Sequence, residues 1–197
     1  INNNIGSNLG KAAFHVDNTV GTRFTVYIDE PLQVGNWYHV AGTYDESTQN
    51  LRIYVNGELQ SATATLTGTA RTPINSLEIA GLSYSFNGNE VDEVRIWNRP
   101  LSQAEIIAHR DKPRKGNENG LVALYHLDGQ FGNTIYDATL NSNDGTINGA
   151  ASLIASQAMH PFATTLNATA DCIGDSVALV WNKNKALDTE KYIVYEG

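Results

Sequence analysis

Along most of this chain apolar and polar residues alternate in short runs, and turn-forming residues separate the runs. Phe24, Val26 and Ile28 alternate with Thr25 and Tyr27, a period of two that predicts a strand. Residues 37–44, Trp-Tyr-His-Val-Ala-Gly-Thr-Tyr, are rich in aromatic and β-branched types and predict another, closed by a polar turn over 45–50. In the next strand Leu51, Ile53 and Val55 form one face, while Arg52 and Tyr54 form the other. Asn56-Gly57 follows, and because both residues tolerate positive φ this pair predicts a hairpin over 51–64. Further strands are expected at 77–81 and 91–97.

The period changes after Pro100, where Ser102 with Glu105 three positions on makes a capping box for one short helix. A charged loop over 112–119 leads to Leu121–Leu127, apolar on both faces and therefore expected inside a sheet rather than at its edge. A turn over 141–145 and a short strand at 146–147 come next. Small residues from Ala151 to Pro161 read as a linker, and beyond it strands are expected at 166–170, 176–181 and 191–195. Three strands do not close a sandwich core, so they read as the first strands of a second small β-sandwich. The fold class is all-β with one short helix.

With 197 residues, 41% of them hydrophobic, the chain is long enough for one large domain and part of another. Thirteen Lys and Arg stand against 21 Asp and Glu, a net charge of −8, and no basic run exceeds the one at 112–115. Nucleic acid is thereby excluded as the expected partner. No stretch approaches the roughly 20 apolar residues needed to cross a bilayer, so membrane insertion is not expected. The start at Ile1, without initiator Met or leader, suggests a piece of something larger. The single cysteine, Cys172, excludes an internal disulfide framework; it reads as a small buried hydrophobe or as the partner of a cysteine beyond Gly197. Few Lys and Arg with abundant Asn, Thr and Gly fit an exported bacterial protein, secreted or on the cell surface.

Three motifs in order carry a family likeness: residues 35–45 (Gly-Asn-Trp-Tyr-His-Val-Ala-Gly-Thr-Tyr-Asp), 51–57 (Leu-Arg-Ile-Tyr-Val-Asn-Gly) and 92–102 (Asp-Glu-Val-Arg-Ile-Trp-Asn-Arg-Pro-Leu-Ser). They resemble the laminin-G-like and pentraxin-like domains of the concanavalin A-like lectin and glucanase superfamily. Residues 120–149 look like a further element of such domains, found at their start or directly after the capped helix. The resemblance implies a jelly-roll β-sandwich of two antiparallel sheets over 1–155, N-terminally incomplete, with 120–150 supplying the closing strands. A linker at 156–164 would follow. Residues 165–197 resemble the first half of a fibronectin type III domain.

The superfamily contains glucanases whose catalytic strand reads Glu-x-Asp-x-x-Glu or Glu-x-Asp-x-Glu, with two carboxylates at the close separation that retention requires. Glu90-Val91-Asp92-Glu93 begins in that way, but Val94 and Arg95 occupy both places open to the second glutamate. No other nucleophile, zinc or phosphate-loop motif occurs, so no enzyme is expected. The five histidines, His15, His39, His109, His126 and His160, lack metal-ligand spacing and read as structural or exposed. Trp37, Tyr38 and Tyr44 have the chemistry of a sugar-stacking platform, but as strand aromatics they read first as core. Tyr54, on the polar face of its strand, and Tyr84, Phe86 and Asn87, in a loop that sets aromatics beside amides, are the candidate ligand contacts. Asp92 shares parity with Val94 and Ile96 and is expected to turn inward at the sheet's rim, where it needs a cation or several donors. The resemblance implies a structural calcium ion there, held by Asp92, Asp128 and Asp137.

The expected function is a non-catalytic binding or adhesion module of a large secreted or surface multidomain protein. Its ligand would be a glycan or an extracellular protein, and its other partners the flanking domains of the same polypeptide. The alternatives are an accessory domain of a polysaccharide-degrading or proteolytic enzyme, and a stalk without ligand.

Overall fold

The computed structural model describes residues 8, 10–72, 76–79, 90–110, 112, 114–127, 133–149, 151–152, 166–168 and 179–181. The chain divides into two compact units, one of residues 1–110 and 114–158, the other of 111–113 and 159–197.

In the first unit β1 (Ala13–Asp17) pairs antiparallel with β2 (Arg23–Tyr27), with Phe14 opposite Val26 and Val16 opposite Phe24. The bidentate contact of Arg23 with Asp17, at 2.8 and 3.0 Å, closes the turn end of this hairpin. A second sheet is built around β4 (Asn50–Val55), flanked on one edge by β3 (Val40–Asp45) and on the other by β5 (Glu58–Leu59) and β6 (Ala64–Thr65). The two layers enclose one core of Val26, Ile28, Leu51, Ile53 and Leu66, with Phe14, Val16, Phe24, Tyr44 and Val55 packed around it. The layers approach closely at Gly42, where a Cβ would lie 2.4 Å from the Phe14 ring.

The Asn56-Gly57 turn forms as its residues predict, with φ of 50° and 82°. It is also a docking point. Helix α1 (Gln103–Arg110) lays Ile107 against Gly57, Gln103 Nε2 donates to the Gly57 carbonyl at 3.0 Å, and Arg110 donates to the Asn56 carbonyl. The capping box is complete, since Ser102 N–H and Oγ both bond Glu105 Oε2 at 2.8 Å and Glu105 N–H returns to Ser102 Oγ at 3.3 Å. Arg99, 2.8 Å from Glu105, and the two Ser102 bonds hold this exposed carboxyl down at about 2. The last turn is closed by arginines from outside the helix: Arg95 donates to the His109 carbonyl at 2.6 Å and Arg114 to that of Ala108 at 3.1 Å.

After the helix, β8 (Leu121–Tyr125) returns beside β7 (Val94–Trp97) in an antiparallel pair that aligns Val94 with Tyr125. Leu121, Ala123, Leu124 and Tyr125 are buried, so β8 is covered on both faces, as its apolar run requires. Its second edge is closed by a loop. Between β9 (Thr134–Ile135) and β10 (Gly145–Thr146), which pair with each other, residues 137–143 turn back onto β8. Asp137 accepts the Leu124 N–H at 3.0 Å, Ala138 N–H reaches the Leu124 carbonyl, and Thr139, Asn141 and Asn143 side chains converge on the Val122 carbonyl. Backbone groups that a neighbouring strand would satisfy are thus met by a loop.

One expected strand is absent among the described residues and another is shortened. Residues 76–79 are irregular, and the strand expected at 37–44 begins only at Val40, since Asn56 Oδ1 takes the His39 N–H at 2.9 Å in place of a ladder carbonyl. In the second unit β11 (Leu166–Ala168) and β12 (Leu179–Trp181) form an antiparallel pair, Leu166 opposite Trp181; the strand expected at 191–195 lies outside the described residues.

Candidate functional site

The β7–β8 pair ends at a rim where both strands leave extended geometry. Glu93, just before β7, has φ 51°, and Leu127, two residues after β8, has φ 60°, left-handed values that residues bearing a Cβ rarely adopt. The register that sets Val94 opposite Tyr125 brings Glu93 against His126. Glu93 Oε1 lies 2.5 Å from His126 Nδ1, and Glu93 Oε2 lies 2.6 Å from Arg95 Nη2. Burial, the largest single influence, pushes the Glu93 carboxyl upward, but the bonds from His126 and Arg95 outweigh it and leave Glu93 more acidic than usual. It is therefore a carboxylate at neutral pH, and His126 Nδ1 serves as donor to it. Glu93, Arg95 and His126 are 15%, 10% and 32% exposed, an ion cluster within reach of solvent.

Beside it Trp97 stacks on His109 with centroids 5.2 Å apart, and the Arg99 guanidinium lies 5.8 Å from the Trp97 ring centroid. Trp97 is thereby engaged with its neighbours. Burial, then Arg114 and Arg95, lower the pKa of His109, which favours its neutral form in this stack.

The expected site residues fare differently. Tyr54 is 3% exposed: alternation put it on a polar face, but β4 is buried from both sides at this point, which corrects its reading as a surface ligand contact. Trp37 is 39% exposed, so the aromatic expected in the core is the more open of the two. Tyr84, Phe86, Asn87 and Asp128 lie outside the described residues.

Asp92 does not continue the parity of β7, because the left-handed turn at Glu93 breaks the strand between Asp92 and Val94; its Oδ1 accepts the Glu93 N–H at 2.8 Å. Asp137 is buried, and its two oxygens accept five bonds, from Leu124 N–H, Thr139 N–H and Oγ, and Asn143 N–H and Nδ2. An ionised carboxylate offers about four lone pairs, so Asp137 is filled by donors of the chain itself, which corrects its reading as a calcium ligand. Burial alone would raise this carboxyl; the donors outweigh it and hold Asp137 at about 2. Among the described residues no group of three or more His, Cys, Asp or Glu side chains is placed to hold a metal ion.

The residues that sequence reasoning missed are Glu93 and His126. They stand 33 positions apart, and only the register of β7 on β8 joins them. Glu90, the first residue of the glucanase-like run, is exposed and precedes the strand.

Comparison with known proteins supports the same architecture. A laminin-G-type sequence model of the concanavalin A-like lectin/glucanases superfamily matches residues 3–107. A crystal structure from Bacteroides ovatus ATCC 8483, provisionally assigned as a carbohydrate binding protein, is similar at 32% sequence identity with a TM-score of 0.52. The match covers 64% of this chain and 38% of that one, so the chain spans well under half of that protein's length. A comparison with curated proteins gives no match. The fibronectin type III resemblance of residues 165–197 is not supported by these comparisons. No described helix is long and apolar enough to cross a membrane. The motifs, the antiparallel layers with one short helix and the family match together show that this chain belongs to the concanavalin A-like lectin/glucanase superfamily.

Proposed function

We propose that this chain is a non-catalytic carbohydrate-binding module of a multidomain protein that is secreted or displayed at the cell surface. The observation that carries this reading is the 32% identity with the Bacteroides ovatus structure, itself provisionally assigned to carbohydrate binding. Val94 and Arg95 support the non-catalytic part: they occupy β7 where a second glutamate would have to stand, while Glu93 is tied to His126 and Arg95. The loop residues Tyr84, Phe86 and Asn87 are the proposed sugar contacts, since aromatic faces pack on pyranose C–H surfaces and amides pair with hydroxyls. In the sequence these residues stand shortly before Glu93. Export is supported by the low Lys and Arg content together with abundant Asn, Thr and Gly. A structural calcium ion at Asp92 and Asp128 belongs to the proposal as well, and predicts a thermal midpoint that falls on chelation in the parent protein but not in Asp92→Asn.

An array of plant, fungal and bacterial glycans, probed with the intact chain and with a Tyr84→Ala/Phe86→Ala/Asn87→Ala variant, tests the reading. Binding by the parent chain that the variant loses is expected. A variant that binds as well as its parent moves the contacts elsewhere, and an array with no signal removes the carbohydrate reading.

A further inference from the structure

Two buried or half-buried carboxylates of the first unit are held by very different numbers of donors. Asp137 accepts five bonds and is saturated. Glu93 accepts two, one on each oxygen, from His126 and from Arg95. With about four lone pairs on an ionised carboxylate, Glu93 keeps roughly two acceptor positions beyond those its described neighbours fill. It is not sealed from solvent, being 15% exposed beside an imidazole that is 32% exposed. Its direction is fixed: two charge-assisted bonds clamp the carboxylate, and Arg95 is anchored in turn on the His109 carbonyl at the end of α1. Left-handed backbone at both Glu93 and Leu127 marks the same rim, and such strain persists where the surrounding structure imposes it. The result is a preorganised, ionised acceptor with unused capacity.

We propose that Glu93, clamped by Arg95 and His126, is a ligand-contacting residue that accepts hydrogen bonds from two hydroxyls of a neutral sugar. The inference rests on the carbohydrate reading and adds to it the residue and the chemical class of ligand. A vicinal diol has the matching chemistry, because each O–H directs one donor to a carboxylate oxygen. The carboxylate of a uronic or sialic acid has no proton to donate to Glu93, so such a group is disfavoured at this acceptor. His126 acts here as a positioning residue through its bond to Glu93.

The test uses the intact chain with neutral glucose-, xylose-, mannose- and galactose-based hexasaccharides and with a galacturonate hexasaccharide. Calorimetric titration is combined with NMR detection of the His126 imidazole. The expected result is binding of at least one neutral oligosaccharide, weaker or absent binding of the galacturonate, an affinity loss of about tenfold or more in Glu93→Gln, and movement of the His126 ring signals on titration. If Glu93→Gln fails to fold, the His126 signals of the parent chain decide. A neutral ligand that leaves them unmoved, or that binds a folded Glu93→Gln within about twofold of the parent, overturns the role of Glu93 while the carbohydrate reading stands. Preference for the galacturonate overturns the ligand class. No binding of any oligosaccharide overturns both.

Discussion

Asp137 shows how a single carboxylate replaces a strand. Its oxygens take the Leu124 N–H on one side and fix Thr139 and Asn143 on the other, so the loop over 137–143 closes the edge of β8. The sequence marks Asp137 as unusual only by its type, and three of its five donors are backbone N–H groups whose positions no residue pattern reveals. Asp137→Ala leaves several of those donors buried without an acceptor, and urea unfolding is expected to show a loss on the order of 3 kcal/mol, equal with calcium and with chelator. The folded carboxyl sits at about 2, below its usual 3.8, so its stabilisation is fully present above about pH 4 and disappears as pH falls toward 2. Asp137→Asn is expected to flatten that acid limb in a pH series of thermal midpoints. Gly42 gives a second residue-scale prediction. With the Phe14 ring 2.4 Å from where a Cβ would stand, Gly42→Ala is expected to cost about 1–3 kcal/mol in the same assay. Tyr54 marks the limit of alternation as a guide, since a period of two distinguishes the faces of β4 but not whether the second is covered.

Elements whose signals are local were legible. Asn56-Gly57 turns with positive φ at both residues, and Ser102 with Glu105 caps α1 as their spacing requires. Replacing Ser102 by Ala is expected to lower stability by about 1 kcal/mol, measured by urea unfolding, through loss of the cap. Elements decided by distant partners were not legible in the same way. The aromatic run 37–44 reads as one strand, yet its first three residues stay outside the sheet because the Asn56 side chain takes the His39 N–H. Thr134–Ile135 is too short to carry a period and exists through its pairing with Gly145–Thr146. The Glu93–His126 contact belongs here as well: neither residue predicts the other, and only the alignment of Val94 with Tyr125 brings them together.

At the scale of the whole molecule, three ordered motifs were enough to indicate the superfamily, because they place strand, hairpin and capped helix in a fixed succession along the chain. Function was less legible, since a fold shared by lectins and glucanases does not separate binding from hydrolysis. That separation turns on particular side chains: Val94 and Arg95 on β7, and a Glu93 held by its neighbours. The most direct measurement of the central claim is electrophoresis of the intact chain through native gels containing soluble neutral polysaccharides, with reducing ends assayed in the same gels. Retarded migration in at least one polysaccharide without release of reducing ends is predicted. Unchanged migration in all of them, or retardation accompanied by release of reducing ends, would contradict it.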